Sequence, residues 1–84
     1  MKRDQVYALI DDERTRQFVK WGGTHVWGRG DCSSDFVYPS TKAVVLAEEC
    51  GEVSKAVLEL DWLGLRKELV QVAAVAVAWL EGME

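Results

Sequence analysis

Leu69-Val70-Gln71-Val72-Ala73-Ala74-Val75-Ala76-Val77-Ala78-Trp79-Leu80 is apolar at every position except Gln71. At about 100° per residue, these side chains surround the axis of a helix instead of lining one stripe, which is the pattern of a helix covered on most sides. The run is too short for a membrane span, which needs about 20 apolar residues. It therefore predicts the central helix of an all-α fold, from about Leu65 to Gly82. A chain of 84 residues with few other helices hardly covers such a helix alone. Subunit association is the expected remedy, with two helical hairpins meeting in a four-helix core as a homodimer or homotetramer.

Working outward, Asp61-Trp62-Leu63-Gly64 reads as a short break, with Gly64 permitting a tight turn. A second helix is expected from Ser40 or Thr41, either of which can cap it, to about Leu60. Val45, Leu46, Val53, Ala56, Val57 and Leu60 form its broad apolar face. Glu49 projects into that face and Glu52 lies at its edge. The short break predicts that these two helices pack antiparallel. The segment from Trp21 to Pro39 holds Gly22-Gly23, Gly28, Gly30, Ser33-Ser34 and Pro39, which is punctuation without periodicity. Trp27 and Phe36 are read first as anchors of that loop, and Trp21 or Trp27 alternatively as a platform for a base. A first helix, roughly Asp4 to Lys20, carries an intermittent apolar stripe. Its polar run from Asp11 to Gln17 reads as a solvated face.

Composition narrows the classes. Hydrophobic residues make up 49% of the chain and there is one proline, so the sequence can fold. It reads as a single domain, 1–84. The net charge of −4 disfavours a binder of nucleic acid polymers, yet it allows nucleotides bridged by metal ions. The N-terminus has no apolar leader, so the expected setting is the cytoplasm, with Cys32 and Cys50 reduced and no membrane association. One histidine and no CxxC leave a Cys/His metal site without support.

The acids on the two core helices carry the functional signal. Glu49 and Glu52 are three residues apart, as are Glu68 and Gln71. In a helix this spacing puts each pair on one face, and antiparallel packing brings the pairs towards a common volume. Carboxylates on apolar faces need a positive partner. Oxygen-only donors suit Mg²⁺, or Mn²⁺. The structural alternative pairs Glu49, Glu52 and Glu68 with Lys55, Arg66 or Lys67.

At these residues the chain resembles the MazG-like, all-α nucleotide pyrophosphohydrolases. The family's EExxE motif is matched by Glu48-Glu49-Cys50-Gly51-Glu52. Its ExxD motif is matched by Glu68-Leu69-Val70-Gln71, with Gln71 where the family usually has Asp. The resemblance spans about Thr41 to Gly82 and is similar to short, phage-type or mobile-element members. Glu13-Arg14 through Lys20-Trp21-Gly22 is a weaker echo. The resemblance implies Mg²⁺-dependent hydrolysis of a nucleoside triphosphate to the monophosphate and pyrophosphate. It implies that Glu49, Glu52, Glu68 and Gln71 hold metal, and that Glu48, with Glu49, serves the attacking water. Lys20, Trp21 and Arg14 are the candidate substrate-binding residues, and Lys42 and Arg66 are further candidate cations. An amide at Gln71 coordinates through its oxygen but brings no charge. The alternative is a non-catalytic helical nucleotide-binding or regulatory module on the same scaffold. A purely structural dimerisation module is the third class.

Overall fold

Three helices carry most of the chain in the computed structural model: α1 (Arg3–Lys20), α2 (Pro39–Leu58) and α3 (Trp62–Glu81). Residues 1–83 are described; Glu84, the last residue of the expected 1–84 domain, lies outside them. None of the described helices is long and apolar enough to cross a membrane.

Each helix starts where local chemistry satisfies its first amides. Pro39 opens α2, because its fixed φ suits the first helical position and its missing N–H would have had no intrahelical partner there. This moves the cap from the expected Ser40 or Thr41 to Tyr38, whose carbonyl accepts the Lys42 N–H at 3.0 Å. Asp61 caps α3, its Oδ1 accepting from the Gly64 N–H at 2.9 Å. The helix thus begins at Trp62, earlier than the expected Leu65, and Gly64 lies in its first turn.

The reversal is made by Leu60 instead, with φ 56°. Its N–H donates to the Val57 carbonyl at 3.1 Å, and that of Asp61 donates to Ala56 at 2.9 Å. This is a Schellman closure, usually built on glycine; a left-handed leucine costs about 1–2 kcal/mol.

α3 lies in the middle. It packs against α2 on one side and α1 on the other, whereas α1 and α2 make no close backbone contact among the described residues. Ala74, Val75 and Ala78 are buried at this crossing, with Trp27, Val45 and Leu46 packed around Cys32, Val75 and Ala78. Two small helical neighbours do not cover the rest: Leu63, Leu69 and Leu80 remain exposed.

The expected irregular loop contains a short antiparallel hairpin, β1 (Thr24–His25) with β2 (Gly28–Arg29), pairing Thr24 with Arg29 and His25 with Gly28. Gly28 has φ +144°, and a Cβ there would come within 2.7 Å of the Phe36 carbonyl oxygen, so no other residue fits. Val37, 2% exposed, pins the far end of the loop.

A buried ionic cluster ties this loop to two helices. Arg14 of α1 donates through Nη1 to Asp31 at 2.7 Å. Through Nε and Nη2 it donates to both oxygens of Glu81, at 3.1 and 3.0 Å. The other Asp31 oxygen accepts from the Ser33 backbone at 2.9 Å and from its hydroxyl at 2.5 Å. Gly82 completes the join, since a Cβ there would meet the Ser33 carbonyl oxygen at 2.6 Å.

Candidate functional site

The gap between α1 and α2 is a cavity of about 300 Å³ floored by α3. α1 contributes Glu13, Arg16, Gln17 and Lys20. The loop contributes Trp21, Trp27, Asp31 and Cys32, α2 contributes Val45, Glu48 and Glu49, and α3 contributes Gln71 and Val75. The α1 and loop side therefore carries the cations and indoles together with the acids Glu13 and Asp31, and the α2 side carries Glu48 and Glu49.

Glu49 is the half-buried acid of this wall. Burial pushes its carboxyl above the usual range, and the charges of Glu68, Glu48, Glu52 and Glu13 push it further. Its neighbour Glu48 is exposed along the same wall. The Gln71 amide faces two acceptors. The orientation that satisfies it turns the nitrogen towards them, donating to Glu68 Oε2 at 2.7 Å and to Glu49 Oε2 at 3.1 Å. Gln71 thus bridges the acids of α2 and α3 as a donor, with its oxygen turned away.

Of the four expected ligands, Glu49, Glu68 and Gln71 come together. Glu52 is exposed and lies with Glu68 along an adjoining shallow depression near the α2–α3 reversal, beside Lys55, Glu59 and Asp61. Among the described residues no three Asp, Glu, His or Cys side chains stand close enough to form a ready metal cradle. Nor does Glu49, Glu52 or Glu68 form a salt bridge with Lys55, Arg66 or Lys67; the salt bridges among the described residues involve Arg14 and Arg16 only. The acids Glu49, Glu52 and Glu68 offer only oxygen donors, the chemistry a hard divalent cation takes, whereas Gln71 as placed presents its nitrogen to Glu49 and Glu68.

The expected substrate residues divide. Lys20 and Trp21 line the cavity, with Lys20 Nζ 5.0 Å from the Trp21 ring centre. Trp21 also packs against Trp27 and His25, with ring centres 4.8 and 4.9 Å away, so the tryptophans both anchor the hairpin and face the cavity. His25 Nε2 bonds the Gly30 carbonyl at 2.7 Å and steadies the cluster from behind. Arg14 is a correction. It is 7% exposed, spends its guanidinium on Asp31 and Glu81, and is outside the cavity lining. Lys42 is buried, and Arg66 borders separate grooves between α1 and α3.

Arg16 and Glu13 are additions that the sequence reading passed over. Glu13, Arg16, Gln17 and Lys20 follow the i, i+3, i+4, i+7 spacing of one helix face, so a polar stripe was there to be read. Comparison with protein-family models, with curated proteins and with solved structures gives no match. The likeness to MazG-like proteins therefore stands on the motif residues alone.

Proposed function

We propose that this chain is a Mg²⁺-dependent nucleoside triphosphate pyrophosphohydrolase. The observation that carries the reading is what meets in one cavity: the indoles of Trp21 and Trp27, the cations Arg16 and Lys20, and the acids Glu13, Asp31, Glu48 and Glu49. A nucleotide offers an aromatic base to stack on the indoles and phosphates that need cations, from side chains or from a metal on the acids. The likeness of Glu48 to Glu52 to the family's EExxE motif, and of Glu68 to its ExxD motif with Gln71 departing from the usual Asp, supports the same reading.

In this reading Glu49, Glu52 and Glu68 would hold the metal, and Gln71 would join them only with its amide turned to present oxygen. Mg²⁺ held there would supply charge neutralisation for the phosphates and activation of water. Glu48 orients or deprotonates the attacking water. Trp21 and Trp27 stack on the base, and Lys20 meets phosphate oxygens. Little else is needed, since phosphoryl transfer depends mainly on positioning and charge neutralisation. A second copy covers the exposed apolar side chains of α3, giving the four-helix core.

The second reading, a non-catalytic nucleotide-binding module, is favoured by the Gln71 bridge, which satisfies Glu49 and Glu68 without a cation. Pyrophosphate release from a panel of nucleotides with Mg²⁺ separates the two. The hydrolase should release pyrophosphate, and Glu49→Gln should cut the rate by about a hundredfold or more, the scale of losing a key electrostatic group. Nucleotide binding with no release from any member of the panel would make the module the better account.

A further inference from the structure

We propose that the Arg16 guanidinium, braced by Glu13, is an anion subsite for the phosphate chain of a polyphosphate ligand. The proposal deepens the nucleotide reading above and rests on it for the identity of the ligand.

Phosphates entering the cavity need cations, and most candidates are committed elsewhere. Arg14 is locked to Asp31 and Glu81, Lys42 is buried outside the lining, and Arg66 is outside it too, bordering a neighbouring α1–α3 groove that Arg16 and Glu13 also reach. Arg16 and Lys20 remain, one helical turn apart on α1, and both line the cavity. Together they form a cationic strip facing Glu48, Glu49 and Gln71.

Glu13 holds Arg16 by a two-point contact, Nε to Oε1 at 2.8 Å and Nη2 to Oε2 at 2.6 Å. A guanidinium has five N–H donors in a rigid fork, so this pairing leaves three for phosphate oxygens. Accessibility is divided to match: the Arg16 side chain is 51% exposed and the Glu13 side chain 12%. The cation is open to a ligand while its brace is set into the cavity wall.

An i,i+3 ion pair is ordinarily surface decoration worth little to stability. This one differs in its surroundings. The largely covered Glu13 carboxylate adds to the negative field at Glu49, and Glu49 in turn adds to the field that keeps Arg16 charged. Arg16 therefore stands between acids of α1 and α2, where a phosphate chain would pass from the cationic strip to a metal held by the acidic wall.

The test is titration calorimetry with inorganic tripolyphosphate, with and without Mg²⁺, on the native chain and on Arg16→Met, Arg16→Lys, Glu13→Gln and the Glu13→Gln/Arg16→Met double variant. Arg16→Met should weaken binding by about tenfold or more, as losing charge-assisted hydrogen bonds does. Arg16→Lys should fall between, keeping the charge and losing the fork. Glu13→Gln removes a negative charge, so plain electrostatics would tighten binding; a brace predicts weaker binding. The double variant should match Arg16→Met alone, since the brace acts only through Arg16. Native affinity in Arg16→Met, or no binding by the native chain, overturns the proposal.

Nucleotide turnover by Arg16→Met at unchanged KM would remove the subsite and leave the hydrolase reading intact. Tripolyphosphate bound through Arg16, with no pyrophosphate released from any nucleotide, would do the reverse. Arg16 is exposed enough that its variants should keep the native melting temperature, so a binding loss would not report unfolding.

Discussion

Gln71 is the residue where motif and structure meet most closely. It is the lone polar side chain in the apolar run of α3, and its amide nitrogen sits between two carboxylates, 2.7 Å from Glu68 and 3.1 Å from Glu49. An aspartate there would replace a donor with a third acid. Gln71→Asp should therefore melt lower than the native chain without divalent metal, because an uncompensated, half-buried charge joins an already repulsive set. With Mg²⁺ the order should narrow or invert, since ligand binding to the folded state stabilises by linkage. The check is thermal unfolding of both forms across a Mg²⁺ titration, alongside pyrophosphate release. A metal response no larger in Gln71→Asp than in the native chain would count against metal at these acids.

Among elements, α1, the loop and α3 are coupled through Arg14. Asp31 is 3% exposed, and burial alone would push its carboxyl up; the Ser33 hydrogen bonds and the Arg14 guanidinium override that and hold it below the usual range. Because the folded value is depressed, the stabilisation is present above the ordinary carboxylate pKa and is lost as pH falls through the lower folded one. Arg14→Met leaves Asp31 buried without its cation and should cost on the order of 3 kcal/mol at neutral pH. Denaturant unfolding at pH 7 and pH 3 checks both parts: the native chain should lose stability on acidification. Arg14→Met should lose less, since Asp31 then keeps only the Ser33 hydrogen bonds to set against its burial. Equal acid losses in the two forms would show that Asp31 does not depend on Arg14. Asp31 also lines the cavity, so the variant should disturb that part of its wall.

At the scale of the whole molecule, the arrangement of three helices creates both a cavity and a deficit. α3 has α1 and α2 on two sides, and the absence of contact between those two leaves the cavity above it. Around the α2–α3 reversal, however, Leu58, Leu60, Trp62 and Leu63 are 84%, 70%, 60% and 85% exposed. Apolar surface grouped in this way is covered in stable proteins more often than it is left in water. Light scattering at micromolar concentration should find a dimer or larger species, and Leu63→Glu should shift it towards monomer. A well-folded monomer of the native chain would remove the four-helix core.

The three helices were legible in the sequence because their causes are local. Apolar periodicity, Pro39, and an interrupted run before Leu65 all act within a few residues. The boundaries moved where a specific cap prevailed, Asp61 for α3 and Leu60 for the end of α2. The acids of α2 and α3 were legible for the same reason, since three-residue spacing on consecutive helices needs no knowledge of the rest of the chain. What tertiary structure alone decided was the fate of Arg14 on α1. Arg14 and Arg16 are two residues apart in one polar run. Helical geometry turns the first towards Asp31 and Glu81, whereas the second pairs with Glu13 and lines the cavity. The fate of Arg14 depends on partners in the loop and at the end of α3, 17 and 67 residues away in sequence, which no local pattern encodes, whereas Arg16 shares a stripe of helical spacing with Glu13, Gln17 and Lys20.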